Sequence, residues 1–132
     1  MLTLEHVAQS YGQKAVLQDI GFHLEPGEIG CLLGPSGCGK TTALRLVAGF
    51  ESLQAGEIHL GGERVGAPGF CLPPERRQIG LVFQDYALFP HLSVADNIGF
   101  GLRALDRAGR EQRTGDMLRL VGLTREARRY PH

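Results

Sequence analysis

Residues Gly34-Pro35-Ser36-Gly37-Cys38-Gly39-Lys40-Thr41 constrain the fold more than any other stretch, because they fit the pattern G-x-x-x-x-G-K-T in full. A continuous apolar run, Ile29-Gly30-Cys31-Leu32-Leu33, precedes them and reads as a strand buried on both faces. After them Leu44, Val47 and Ala48 recur at helical spacing, and Gly49 is placed to close that helix. Strand, glycine-rich loop and helix form the context in which this pattern cradles phosphate. The residue types explain the chemistry. Gly34, Gly37 and Gly39 permit torsions that other residues resist, and they let main-chain N–H groups approach phosphate oxygens. The helix that follows turns its positive end toward the same oxygens. Lys40 adds a point charge at the β- and γ-phosphates. The Thr41 hydroxyl is a hard oxygen ligand suited to Mg²⁺.

The rest of the chain predicts an α/β protein with an antiparallel portion. Leu2 and Leu4 alternate with polar neighbours. Val16, Ile20, Phe22 and Leu24 share one parity of a second strand, with Tyr11-Gly12 as the intervening loop. Glu57–Leu60, Gly61-Gly62 and Glu63–Val65 read as a hairpin. Gly66 to Pro74 reads as loop, and Ile79 to Phe83 as a second buried strand. Ser93 and Asp96 form a helix-start pattern before Val94, Ile98 and Leu102. Met117, Leu120 and Val121 mark a last helix ending near Gly122. Fourteen basic side chains balance fourteen acidic ones, which argues against a general electrostatic grip on nucleic acid or an anionic membrane. Three cysteines without metal-type spacing argue against a disulfide framework and place the chain in a reducing compartment. Cys31 and Cys71 read as fillers of core and loop. A 132-residue chain of this composition accommodates one domain.

The loop, extended through Thr42, and the stretch Leu81-Val82-Phe83-Gln84-Asp85-Tyr86-Ala87-Leu88-Phe89-Pro90-His91-Leu92 resemble the ATP-binding subunits of bacterial ABC importers. The second stretch resembles that family's Q-loop region, and Gln84 follows Lys40 by 44 residues. The resemblance implies a P-loop NTPase core of ABC ATPase type with the start of a helical subdomain. It implies a nucleotide site of Tyr11, Gly34, Pro35, Ser36, Gly37, Cys38, Gly39, Lys40, Thr41 and Thr42. In that site Tyr11 stacks on adenine, Lys40 and Gln84 serve catalysis, and Thr41 and Gln84 serve Mg²⁺. ATP and Mg²⁺ are the implied cofactors. The implied partners are membrane permease subunits, a second copy of the ATPase subunit and, indirectly, a periplasmic binding protein. The implied location is the inner face of the cell membrane, on the cytoplasmic side. Residues 1–132 are expected to be the N-terminal part of the nucleotide-binding domain. The expected L-S-G-G-Q signature, Walker B aspartate, catalytic glutamate and switch histidine all fall after His132. Asp85 resembles an acid ending an apolar strand, but its Gln84 and Tyr86–Pro90 neighbours assign it to the Q-loop region. Leu72-Pro73-Pro74-Glu75-Arg76-Arg77 and Arg129-Tyr130-Pro131-His132 look most like ferric-iron importers. Sulfate, polyamine, phosphonate and sugar importers share much of the pattern, and a nucleotide-binding regulatory module without turnover is the alternative in another class.

Overall fold

Alternation along the first two strands sets the fold of the N-terminal region, and two breaks in that alternation shape it. The computed structural model describes all 132 residues, which divide into two units, Met1–Leu81 and Val82–His132. In the first unit, β1 (Leu2–Tyr11) and β2 (Lys14–Leu24) pair antiparallel through a turn at Gly12 and Gln13. Strands β3 (Ala55–Leu60), β4 (Glu63–Ala67) and β5 (Phe70–Cys71) complete an antiparallel sheet in the order β2-β1-β3-β4-β5.

Leu2, Leu4, Val7 and Gln9 are the inward positions of β1, so its facing slips by one residue between Leu4 and Val7. In β2 the same slip buries Leu17, where the parity of Ile20, Phe22 and Leu24 had pointed to Val16. His6 and Asp19 carry the slips, with φ of 50° and 52°. An extra residue in a ladder produces this kind of phase change, and sequence alternation does not announce it. Gly56 accommodates the bulge. It has φ 87°, and a Cβ there would lie 2.3 Å from the Glu5 carbonyl oxygen.

Helix α1 (Lys40–Ala48) lies on one face of the sheet and presents Ala43, Leu46 and Ala48 as its buried positions. Leu4, Val7, Leu17, Ala43, Leu46, Leu53, Ile58 and Val65 form the core. Leu44, expected on the inner face, is 48% exposed, because the helix is rotated by one position from the predicted stripe. The β3–β4 hairpin forms as the Gly61-Gly62 pair predicts. The expected loop from Gly66 is shorter than predicted. β4 runs on to Ala67, Pro68-Gly69 turns the chain, and β5 and a short α2 (Pro74–Arg77) follow.

Neither predicted buried strand forms. Ile29 and Leu33 are 98% and 87% exposed, Cys31 is exposed, and Val82 is 80% exposed. A strand of this kind needs hydrogen-bonding neighbours on both edges. The main chain of Ile29–Leu33 makes no such bond, and the sheet pairs no strand beyond β2 and β5.

The second unit holds α3 (Val94–Phe100), α4 (Arg107–Leu120) and a 3-10 turn at Thr124–Glu126. Ser93 caps α3 by accepting the Asp96 N–H at 3.2 Å, as predicted, and Asp106 caps α4 by accepting from Gly109 at 2.9 Å. Thr114 and Leu118 are the buried positions of α4, whereas Leu120 and Val121 face outward, contrary to expectation. No helix is long and apolar enough to cross a membrane.

Candidate functional site

The predicted phosphate loop runs from Gly34 into the first turn of α1. Gly34, Gly37 and Gly39 have φ of 156°, 80° and 96°, all positive. Only glycine adopts such angles without strain. Gly39 is needed twice over, since a Cβ would lie 2.6 Å from Leu17 Cδ2 and 2.8 Å from the Val16 carbonyl oxygen. The loop therefore seats directly on the backbone of β2, and α1 starts from a fixed point. The Ala43 N–H donates to the Gly39 carbonyl at 2.9 Å, which closes the first turn.

Lys40 bends back across the loop. Its Nζ donates to the carbonyls of Gly34 and Pro35, both at 2.8 Å, and lies 3.5 Å from Cys38 Sγ. The ammonium is thus held against the loop by neutral acceptors, which an anionic phosphate outcompetes. Pro35, Ser36, Cys38 and Thr41 are exposed, and Thr42 is half-buried. Three glycines without side chains, one ammonium and a helix N-terminus make a donor set that fits a polyphosphate. The Thr41 hydroxyl fits Mg²⁺ as a single protein ligand beside phosphate oxygens. No cluster of three or more His, Cys, Asp or Glu offers a protein-only metal cage.

Tyr11, the last residue of β1, is 49% exposed. Its hydroxyl donates to Glu51 Oε2 and also meets Thr42, two residues beyond Lys40. The hydrogen bond to the Glu51 carboxylate holds the neutral phenol and raises its pKa. Glu51 in turn faces Arg45 Nη1 at 3.5 Å. The structure thus brings Tyr11 to the helix that carries the loop. Gln84 is exposed near the start of the second unit.

Sequence reasoning missed Arg77, which is 6% exposed. Its Nη1 donates to the Leu46 and Val47 carbonyls at 2.8 Å, in the last turn of α1. Nη2 donates to Val65 at 2.7 Å and meets Cys71 Sγ at 3.2 Å, while Nε donates to Leu72 at 2.6 Å. Burial pushes its pKa down. One guanidinium therefore ties the far end of the loop-bearing helix to β4. It also missed Asn97. That amide accepts from the Phe89 N–H at 2.9 Å and donates to the carbonyls of Phe89, Leu92 and Ser93 at 3.0–3.1 Å. No short motif marks either residue. Phe89 packs on Phe100 with ring centroids 4.2 Å apart, and Arg103 covers the Phe100 ring at 4.0 Å.

A glycine-rich loop at the head of a helix, seated on an antiparallel sheet, defines this first unit as the phosphate-loop part of a P-loop domain. Residues 17–132 match the ABC transporter family, and the chain belongs to that family. Three curated relatives carry the description "Spermidine/putrescine import ATP-binding protein PotA". The protein from Roseobacter denitrificans is 45% identical over 98% of this chain and 35% of its own length. That from Nitratidesulfovibrio vulgaris is 47% identical over 99% and 35%. That from Methylococcus capsulatus is 50% identical over 89% and 30%. The chain spans about a third of the length of these relatives. A dimeric structure of the ATP-binding cassette MJ0796 in a post-hydrolysis state, bound to ADP and Pi, superposes with a TM-score of 0.81 at 25% identity, over 99% of this chain and 62% of that one. A second dimeric MJ0796 structure, described as a bacterial ABC transporter cassette, has the same fold, with a TM-score of 0.81 at 24% identity and the same coverage.

The descriptions of these relatives name polyamine import and lend no support to the ferric-iron expectation. Within Leu72–Arg77, Arg77 and the Leu72 carbonyl serve the clamp on α1. In the tail, the Arg129 carbonyl accepts the Val94 N–H at 2.8 Å. Both segments hold the fold together.

Proposed function

We propose that the chain binds the triphosphate of ATP at Gly34–Thr41 and is the loop-bearing part of an ATP-hydrolysing importer subunit. The observation that carries this reading is the complete loop, with Lys40 at the head of α1 and its ammonium held against the loop carbonyls. The loop N–H groups and Lys40 hold the β- and γ-phosphates and neutralise charge that builds up there. The Thr41 hydroxyl is the ligand the first unit offers to Mg²⁺, whose charge assists displacement at the γ-phosphate. Tyr11 offers a ring face to the adenine. Polyamine is the cargo class supported by the relatives' names. In the longer protein, two subunits close around two nucleotides and permease subunits deliver the movement to the cargo; a periplasmic binding protein supplies the cargo from outside. The subunit is peripheral on the inner face of the membrane. The exposed apolar stretch Tyr86–Leu92, braced by Asn97, is the proposed permease contact.

Titration of MgATP into the chain tests the site. Lys40→Ala removes charge-assisted contacts and should weaken binding at least about tenfold. Equal affinity in the two proteins would overturn the assignment. For the longer protein, uptake of labelled spermidine should depend on Lys40 in the same way.

A further inference from the structure

Two side chains of one short segment grip the end of β1. After α1 closes at Gly49, the chain runs through Glu51 to Gln54. The Gln54 side chain accepts the Ser10 N–H at 2.8 Å and donates to the Ser10 carbonyl at 2.9 Å. Its own N–H donates to the buried Gln9 side chain at 3.2 Å. The backbone at the end of β1 is therefore fixed from this segment and, on the other edge, by pairing of Tyr11 with Lys14. Glu51 adds the second anchor, because it accepts the hydroxyl at the far tip of the Tyr11 ring. A phenol held at both its Cα and its hydroxyl cannot swing. Glu51 is itself held, with a side chain only 20% exposed and Arg45 beside it. Arg45 lies on α1, so the brace and the phosphate loop belong to one rigid element.

We infer that Glu51 is a positioning residue: by holding the Tyr11 hydroxyl it sets the aromatic wall of the base site and gives the site its preference for a nucleotide over a bare polyphosphate. This inference rests on the nucleotide reading above. The physical reason is pre-organisation. A half-exposed tyrosine that must be ordered on binding gives up part of its stacking energy to lost rotamer freedom, and a ring ordered in advance does not. The loop contributes to ATP and to inorganic tripolyphosphate alike, so only the base-dependent part of affinity passes through Glu51.

The test compares MgATP and Mg-tripolyphosphate binding to the full 132-residue chain and to Glu51→Ala, Glu51→Gln, Tyr11→Phe and the double variant Tyr11→Phe/Glu51→Ala. Glu51→Ala should weaken ATP about fivefold, the scale of a lost aromatic contact, and leave tripolyphosphate within about twofold. Tyr11→Phe should lose a similar factor, and the double variant little more, since both remove one interaction. NMR of labelled tyrosine gives an independent readout: the Tyr11 phenol should titrate lower in Glu51→Ala than in the parent. An unchanged ratio of the two affinities, an unchanged Tyr11 titration, or an equal fall for both ligands would overturn the inference. If Glu51→Ala fails to fold, Glu51→Gln and Tyr11→Phe decide by the same ratio. Failure of the parent chain to bind tripolyphosphate would instead overturn the nucleotide reading itself.

Discussion

Arg77 shows how much one side chain can carry. Four carbonyls from three separate segments converge on its guanidinium, and no lysine can reach them all. Arg77→Lys should strand buried acceptors and cost about 2–4 kcal/mol, read as a lower urea midpoint of the first unit. At the bulge, His6 Nδ1 lies 2.7 Å from Asp19 Oδ1, and hydrogen bonding to Asp19 raises the His6 pKa above its ordinary 6.5. Stability from this pair is fully present below the ordinary value and is lost as pH rises through the raised one. Imidazole NMR should show the His6 midpoint falling in Asp19→Asn. A parent midpoint at or below the ordinary value would refute the pairing. The phosphate loop was legible at this scale because its chemistry is contiguous: Gly34 to Thr41 states torsions, charge and hydroxyl in eight successive residues. Arg77, Glu51 and Asn97 were not legible, since their partners lie far off along the chain or are plain carbonyls.

Among the elements, those with local signals formed where expected. The Gly61-Gly62 hairpin, the Gly49 stop of α1 and the Ser93 cap of α3 each need only neighbouring residues. Ser93→Ala should cost about 1 kcal/mol. Amide exchange should then quicken at Val94–Phe100, and an unchanged rate there would show that the cap contributes nothing. Phase was harder to read. The paired slips at His6 and Asp19 leave both strands buried on one face, but alternation read straight through them chose Val16 over Leu17. The strands predicted at Ile29–Leu33 and Ile79–Phe83 had the right composition, but the sheet offers them no neighbouring strand. Pairing is a property of the assembled sheet, and a run of apolar residues does not contain it.

At the scale of the whole molecule, the segment Ile29–Leu33 leaves apolar side chains exposed and main-chain groups unpaired. Exposed apolar segments of this kind drive association. Sedimentation velocity of the chain should show mass rising with concentration. Ile29→Lys with Leu33→Lys should shift it toward the monomer. A parent chain that stays monomeric across the same range would rule this out. The brace on Tyr11 has an optical consequence for the molecule as a whole. The chain has no tryptophan and three tyrosines, so its ultraviolet emission comes from Tyr11, Tyr86 and Tyr130 alone. A photoexcited phenol is a much stronger acid than one in its ground state, and the carboxylate of Glu51 stands ready to take its proton. Tyr11 emission should therefore be quenched while the first unit is folded. Unfolding the first unit releases Tyr11 from its quencher, so the molecule brightens as the phosphate-loop unit comes apart.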